Sequence, residues 1–204
     1  SPDDDGYIGG VVNWICPGQQ EFCGRGPAGG LCWPPLHDNR SQQWHWEVHC
    51  PGGGQAGGTV HLVCRNPTTA EEARKEISEA SSNENIFVHI LDLSDSKGVH
   101  SFAAKFSSTN EALHGLVNNA GCMVNTRELN EAGLEKNFAT NTLGTYILTT
   151  RLLPLLAKTE KSRVVTVSSG GMLVQKLDVG DLQFEKMSPF DGTMAYAQNK
   201  SSRW

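Results

Sequence analysis

From residue 59 onward the chain alternates short apolar runs with amphipathic segments, and this alternation restricts its fold more than any other feature. Four apolar runs have the length and β-branched content of buried strands: 59–64, 86–91, 113–117 and 163–167. Between them we predict three helices: one capped by the Thr-rich step after Pro67 and running through Ala80, one around 99–106, and one over about 131–158 with a kink before Pro154. Strands that alternate with helices predict an α/β protein with a parallel sheet.

The first 58 residues have a different composition. They hold four of the five tryptophans, the pair Pro34 and Pro35, and Gly-rich stretches, without a sustained helical or strand period. We therefore expect no packed element there. The chain divides into an aberrant, irregular segment, 1–58, and a partial α/β domain, 59–204.

Composition excludes several classes of protein. With 204 residues, 38% of them hydrophobic, a net charge of -5 and a pI of about 5.8, the chain is expected to form one soluble globular domain. Without a basic stripe it is not expected to bind nucleic acid. No apolar run reaches the length of a membrane span, and residues 1–30 do not resemble a signal peptide. An intracellular, cytoplasmic location is the simplest expectation.

The six cysteines are concentrated near the start of the chain and show no CxxC step. Unpaired thiols are therefore the simplest interpretation, and no metal site is expected. Two alternatives stay open for residues 16–50: a disulfide scaffold, or loose zinc ligation with His37, His45 and His49.

Four motifs follow the predicted strands and helices in order. Asn118, Asn119, Ala120 and Gly121 follow one strand, Asn141-Thr-Leu-Gly lies in the next helix, Ser168 and Ser169 follow the next strand, and Tyr196 precedes Lys200 by four residues. Each motif is weak alone, but in this order they resemble the short-chain dehydrogenase/reductase family over residues 57–200. The resemblance implies a Rossmann-like, doubly wound parallel sheet and an oxidoreductase acting on a small carbonyl or alcohol. It also allows a homo-oligomer.

The catalytic residues expected from this resemblance are Asn141, Ser169, Tyr196 and Lys200. Tyr196 and Lys200 share a helix face, so the ammonium would favour phenolate and lower a phenol pKa that is normally near 10. The resemblance implies that Lys200 also holds the nicotinamide ribose, that Ser169 donates to the carbonyl oxygen, and that Asn141 anchors a water linked to Lys200. The alternatives are a surface tyrosine, a serine helix cap and a polar kink residue.

The cofactor is expected at the carboxyl ends of the strands, against the small residues Asn119, Ala120 and Gly121, with Tyr196 and Lys200 at its nicotinamide end. Arg65 ends its strand where an acidic residue would accept a ribose hydroxyl. An arginine pairs instead with a 2'-phosphate, so NADP(H) is favoured over NAD(H), the alternative being a solvated surface arginine. Asp92, with Leu93, resembles the family's adenine contact, the alternative for Asp92 being a simple strand-end helix cap.

The family's glycine-rich turn, Thr-Gly-x-x-x-Gly-x-Gly, is absent. The stretch 24–29 satisfies G-x-G-x-x-G, but no strand precedes it and Pro34-Pro35 prevents the helix that should follow, so we reject it. If the codons of Trp44-His45-Trp46 are read one base later, they encode glycine, then either isoleucine or threonine, then glycine. The same shift over 39–56 permits Thr-Gly-Ala-Asn-Ser-Gly-Ile-Gly-Lys. Our hypothesis is that residues up to about 56 are translated out of frame.

The sheet is expected to be incomplete at both ends. Lys200 is followed by four residues, so the last strands and the substrate loop are missing. The family's first strand lies in mid-sheet, and its loss would leave unpaired backbone. We therefore predict poor dinucleotide binding and an inactive or unstable chain. The rival function is a truncated, catalytically inactive pseudoenzyme or interaction fragment.

Overall fold

A computed structural model describes the backbone of residues 13–16 and residues 58–202. Its strands are β1 (Asn13–Cys16), β2 (Val60–Cys64), β3 (Ile86–Ile90), β4 (Gly115–Asn118) and β5 (Arg163–Thr166). Its helices are α1 (Pro67–Ser81), α2 (Ser96–Thr109), α3 (Lys136–Phe138), α4 (Thr145–Lys158) and α5 (Gly192–Ser201). A π-helical segment, Ala139–Gly144, joins α3 to α4, and a 3₁₀ helix, Gly170–Val174, follows β5.

The five strands form one sheet in the order β3-β2-β1-β4-β5. β2 pairs with β3 and β4 pairs with β5, both in parallel, as the alternation of strands and helices predicted. β1 lies in the middle and runs antiparallel to both neighbours, with Trp14 opposite Leu62 and Val117. The sheet is therefore mixed rather than wholly parallel.

The expectation of no packed element in residues 1–58 is wrong for β1. Trp14 and Ile15 belong to the residue types that favour strands, and four residues are too few to show a period. The backbone edges of β2 and β4 also need partners in mid-sheet, which β1 supplies. The proposed boundary at residue 58 stays a prediction, and the out-of-frame stretch 39–56 lies outside the described residues.

The first helix begins with a different cap from the one expected. α1 starts at Pro67, and the Asn66 side chain accepts bonds from the backbone N–H groups of Thr68 and Thr69. Asparagine is a strong N-cap and proline suits the first helical position, so Asn66, rather than the threonines, caps α1. α1 covers one face of the sheet, against Val60, Leu62, Cys64 and Ile86.

Helices α2 and α4 cover the other face of the sheet. The spacing that predicted α2 is confirmed, because Val99, Ala103 and Phe106 are buried there. They pack with residues of α4 and β4, the largest of which are Leu148, Leu152, Leu155 and Leu116. Helices on both faces give the doubly wound arrangement expected from the sequence.

The predicted long helix over 131–158 differs from the structure in two respects. It begins at Lys136, because the Asn130 side chain binds the backbone N–H groups of Ala132 and Leu134 in a turn. Its irregularity lies in the π-helical segment, whereas α4 continues through Pro154. Gly144, which ends that segment, lies so close to the carbonyl oxygen of Leu93 that a Cβ would not fit. π-helical turns of this kind often mark functional sites.

A pair of histidines lies between the sheet and α2. Nδ1 of His61 is 2.8 Å from Nε2 of His89, and the rings of Phe87, Phe102 and Phe106 surround the pair. Burial, followed by the nearby His89, lowers the pKa of His61 from 6.5 to about 4. Burial and the charge of Lys105 lower the pKa of His89. Both rings are therefore neutral at physiological pH.

Candidate active site

The motif residues lie at one edge of the sheet. β2, β3, β4 and β5 all run in the same direction, since each of β2 and β4 is antiparallel to β1. Their carboxyl ends therefore meet at one edge, where open α/β sheets bind their ligands. α5 reaches this edge after Asp191, whose carboxylate accepts bonds from the N–H groups of Thr193 and Met194.

Tyr196 and Lys200 lie together on α5, as their spacing predicted. Lys200 is 2% exposed, and its Nζ donates to the carbonyl oxygen of Val167, at the end of β5, over 3.0 Å. Nζ also lies 5.4 Å from the centre of the half-buried Tyr196 ring. The ammonium therefore lies over the face of the Tyr196 ring, within the range of a cation–π contact.

Asn141 and Lys200 meet at Gly121, which follows β4. A Cβ at position 121 would lie 3.3 Å from Asn141 Oδ1 and 3.5 Å from Lys200 Nζ. The Asn141 side chain is fully buried in the π-helical segment, where Oδ1 accepts from Cys122 N over 2.7 Å and Nδ2 donates to Cys122 O over 2.8 Å. A water held by Asn141 would bond to Oδ1, to the second hydrogen of Nδ2 or to the backbone carbonyl.

The two serines after β5 have different partners. Ser168 Oγ lies 3.3 Å from the Lys200 carbonyl oxygen and 3.0 Å from Met172 Sδ. Ser169 caps the 3₁₀ helix, because its Oγ accepts from Gly171 N over 3.2 Å. The cap weighed from the sequence therefore exists, yet a hydroxyl that accepts a bond keeps its own hydrogen to donate.

At the adenosine end, the expected residues follow β2 and β3. Arg65 is exposed directly after β2. The Asp92 carboxylate accepts from Ser94 N over 2.8 Å, so it closes a local turn, and the N-cap of α2 is Asp95. Leu93 is buried against Gly144. The segment after β3 is therefore in contact with the π-helical segment.

Small and amide residues line the middle of the edge. Asn118 is buried, and its Nδ2 donates to Thr149 Oγ1 over 2.8 Å, which ties the end of β4 to α4. Asn119 and Ala120 continue toward Gly121. Because a side chain at 121 would crowd both Asn141 and Lys200, a glycine there lets these two side chains approach the segment after β4. The nicotinamide half of a dinucleotide bound at this edge would supply or accept hydride. Lys200 and Tyr196 would hold that half.

β1 runs antiparallel to its neighbours, so its carboxyl end does not lie at the edge that holds the motif residues. Cys16, the last residue of β1, lies opposite Gly115, the first residue of β4. The carboxyl end of β1 therefore lies at the edge remote from Tyr196 and Lys200. A glycine-rich turn that follows the first strand in the family would need the opposite strand direction to reach the cofactor. The rejected stretch 24–29 lies outside the described residues.

Comparison with known proteins identifies the family. A profile described as short chain dehydrogenase matches residues 50–178. The chain belongs to this family. As a short-chain dehydrogenase family member, it has the α/β fold expected from its motifs.

The chain is similar to one part of its short-chain dehydrogenase relatives. It is 65% identical to dehydrogenase/reductase SDR family member 12 of Homo sapiens over 144 residues, which are 71% of this chain and 45% of that protein. The chain thus spans less than half of this relative's length. An uncharacterized protein from Mycobacterium paratuberculosis shows a TM-score of 0.56 at 30% identity, over 69% of this chain and 47% of that one.

A second solved structure belongs to the same fold. It is a short chain dehydrogenase from Escherichia coli CFT073 complexed with NADPH, with a TM-score of 0.52 and 23% identity over 70% of this chain and 55% of that one. At this identity, the likeness concerns the fold alone. Among the helices of residues 58–202, none combines the length and the apolar composition that a membrane span requires. The expected location and homo-oligomer stay predictions.

The sequence did not point to three residues beside this candidate site. Glu135 and Asn137 are fully buried next to the π-helical segment, and Cys122 is fully buried beside Gly121. Burial raises the pKa of the Cys122 thiol to about 11. Cys64 and Cys122 are free thiols, as expected, whereas the side chains of the other four cysteines lie outside the described part of the chain. The spacing of Asn137 and Asn141, four residues apart, was the available signal.

Proposed function

We propose that this site reduces a small carbonyl, or oxidises the corresponding alcohol, with a nicotinamide cofactor and with Tyr196 as general acid and base. The observation that supports the proposal best is the meeting of Asn141, Lys200 and Gly121 at the strand ends, with Tyr196 beside the same ammonium. A buried cation beside a phenol at the strand ends is what proton transfer next to a bound ring requires.

Each polar group has one role in the proposed reaction. In the direction of reduction, the Tyr196 hydroxyl gives its proton to the carbonyl oxygen, and the Lys200 ammonium stabilises the phenolate that remains. Ser169 donates a hydrogen bond to the same oxygen as negative charge develops there. Asn141 holds the backbone beside Gly121 in place, and the water assigned to it links Lys200 to solvent. When bound, the nicotinamide supplies the hydride.

Replacement of Tyr196 tests this role. In Tyr196→Phe the proton donor is lost while the ring remains, so we expect NADPH-dependent reduction of a panel of small aldehydes and ketones to fall by roughly 10²- to 10⁴-fold. Tyr146→Phe is the matched control, because Tyr146 is 65% exposed on α4. Absorbance of NADPH follows the reaction. Equal rates in Tyr196→Phe and the wild type would contradict the proposal.

The cofactor is proposed to be NADP(H) rather than NAD(H). The exposed guanidinium of Arg65, directly after β2, suits the two acceptor oxygens of a 2'-phosphate. In Arg65→Gln we expect the thermal stabilisation by NADPH to decrease and that by NADH to stay unchanged. Arg151→Gln, an exposed arginine on α4, is the matched control. Equal stabilisation of the wild type by NADPH and NADH would contradict the preference.

A second candidate function is that of a non-catalytic chain, either a pseudoenzyme or an interaction fragment. The direction of β1 favours it, because the carboxyl end of that strand lies at the edge remote from Lys200. A saturating cofactor must stabilise the folded state that binds it, by about 2.7 kcal/mol at 100 times the dissociation constant. An unchanged melting temperature at millimolar NADPH and NADH would therefore favour this candidate over the enzyme.

A further inference from the structure

Two asparagines one helical turn apart hold the segment that follows Gly121. Asn141 binds the N–H and the C=O of Cys122, and Asn137 does the same with Val124: Oδ1 accepts from Val124 N over 2.8 Å and Nδ2 donates to Val124 O over 3.0 Å. Four helical residues rise about 6 Å, and two extended residues span about 6.6 Å. The two carboxamides therefore match alternate residues of an extended backbone, as a neighbouring strand would.

Glu135 fixes the orientation of the Asn137 carboxamide. Its side chain is fully buried, and Oε1 accepts from Asn137 N over 3.0 Å and from Asn137 Nδ2 over 2.9 Å, while Oε2 accepts from Phe138 N over 2.7 Å. Because a carboxylate only accepts, it selects the NH₂ side of the amide and leaves Oδ1 directed to Val124. Glu135 therefore acts on the backbone at Val124 through Asn137.

Val124 is also where α5 begins to pack. A Cβ on Gly192, the first residue of α5, would overlap the carbonyl oxygen of Val124 and lie 2.7 Å from Asn125 Oδ1. The start of α5 is therefore set directly against the backbone that Asn137 holds. Since α5 carries Tyr196 and Lys200, a shift of Val124 would move both of them relative to Gly121.

We propose that Asn137, oriented by Glu135, is a positioning residue that sets α5, and with it Tyr196 and Lys200, against the segment 121–124. The proposal rests on the proposed function for its catalytic consequence. Its geometric content, a hydrogen-bonded connection from Glu135 through Asn137 and Val124 to Gly192, is independent of turnover.

Two variants and one matched control test the connection. Asn137→Ala removes both bonds to Val124. Glu135→Gln keeps the shape of the side chain but turns one acceptor oxygen into a donor. The control is Asn83→Ala, because the Asn83 carboxamide also holds backbone, donating to Gly58 O over 2.7 Å and accepting from Asn85 N over 2.9 Å. Asn83 precedes β3 and so lies at the opposite edge of the sheet.

The first readout is the titration of the Tyr196 phenol, measured as the ultraviolet difference between each protein and its Tyr196→Phe counterpart. We expect the midpoint to move in Asn137→Ala toward the ordinary phenol value of about 10, since Lys200 and Tyr196 lose their fixed arrangement. Asn83→Ala should leave the midpoint of the wild type unchanged. This readout needs neither cofactor nor substrate.

The second readout is the kinetics of NADPH oxidation. Small misplacements of reacting groups can cost about 10²-fold in rate, so we expect kcat in Asn137→Ala to fall by roughly 10- to 100-fold while KM for the carbonyl changes much less. Glu135→Gln should lower kcat in the wild-type background and add nothing in the Asn137→Ala background, because it acts through the same carboxamide.

The outcomes separate the positioning role from the proposed function. If the wild type reduces no carbonyl, the proposed function fails, and a moved Tyr196 titration in Asn137→Ala would still support the positioning role. If Asn137→Ala does not fold, Glu135→Gln provides the same comparison. A Tyr196 titration in these variants that matches Asn83→Ala would overturn the positioning role, whatever the kinetics show.

Discussion

The buried histidine pair makes the stability of the fold depend on pH, and His61 is the residue to change. It is 8% exposed, its Nδ1 is 2.8 Å from His89 Nε2, and the Phe106 ring meets it edge to face. Burial, followed by His89, lowers its pKa from 6.5 to about 4. The folded chain therefore keeps this ring neutral at pH values where the unfolded chain protonates it.

The sign and size of the effect follow from proton binding. Between pH 6.5 and about 4 the unfolded state binds more protons at His61 than the folded state, so the free energy of unfolding falls as the pH falls. A difference of one pKa unit between the folded and unfolded states corresponds to about 1.4 kcal/mol. The free energy of unfolding should therefore fall by up to roughly 3 kcal/mol near pH 4. In a domain of this size, the melting temperature should fall by roughly 6 to 12 °C. Well above pH 6.5 both states are neutral at His61, and the effect vanishes.

Thermal unfolding followed by circular dichroism over this pH interval, in the wild type and in His61→Gln, measures the effect. Glutamine can still bond to His89 but does not titrate. Carboxylates titrate in the same interval in both proteins, so the difference between the two curves reports position 61. We expect the wild type to lose more stability than His61→Gln as the pH falls. Parallel curves would refute the assignment of this titration to His61.

Two further predictions concern packing and thiol chemistry. Gly144→Ala places a Cβ against the Leu93 carbonyl oxygen, so we expect the free energy of unfolding in urea to fall by roughly 1 to 3 kcal/mol. Gly170→Ala is the control, because its Cβ would meet nothing within 4 Å, and it should change the free energy of unfolding by less than about 0.5 kcal/mol. Equal losses in both would contradict the close approach at Gly144. Burial raises the pKa of Cys64 and Cys122 to about 11, so both should react slowly with iodoacetamide at mildly alkaline pH in the folded protein and rapidly in urea, as read by peptide mass spectrometry. Modification of either at the rate seen in urea would show that it is accessible.

The sequence predicted those parts of the fold that local patterns determine. The four strands after residue 58 and the apolar face of α2 follow from residue type and spacing, and the structure has them. β1 was missed because four residues carry no period, and its place depends on the unpaired edges of β2 and β4, which are distant in sequence. The start of the long helix was misplaced because the turn around Asn130 and the Glu135 cap decide it.

For the site, the sequence named the motif residues but not their supports. The pairing of Tyr196 with Lys200 follows from helical spacing, and the structure brings them together. The hydrogen bonds that hold the motif residues in place join segments distant in sequence, namely Lys200 to Val167 and Asn137 to Val124. A buried amide such as Asn137 has no sequence signature that separates it from a surface amide, so its role becomes visible only when the helix and the extended segment are placed together.

The two ends of the proposed dinucleotide site differ in how they are held. The bonds at the nicotinamide end include those of Asn141 to Cys122 and of Lys200 to Val167. The adenosine end follows β2 and β3, and in the described sheet β1 is the strand that joins this pair to β4 and β5. Contacts of α2 with α4 also connect the two ends, through Val99 and Leu148. Loss of β1 pairing would therefore disturb cofactor binding through Arg65, whereas the bonds of Asn141 to Cys122 and of Lys200 to Val167 join residues outside β1. Weak cofactor binding and an intact proton-transfer site are thus compatible in one chain.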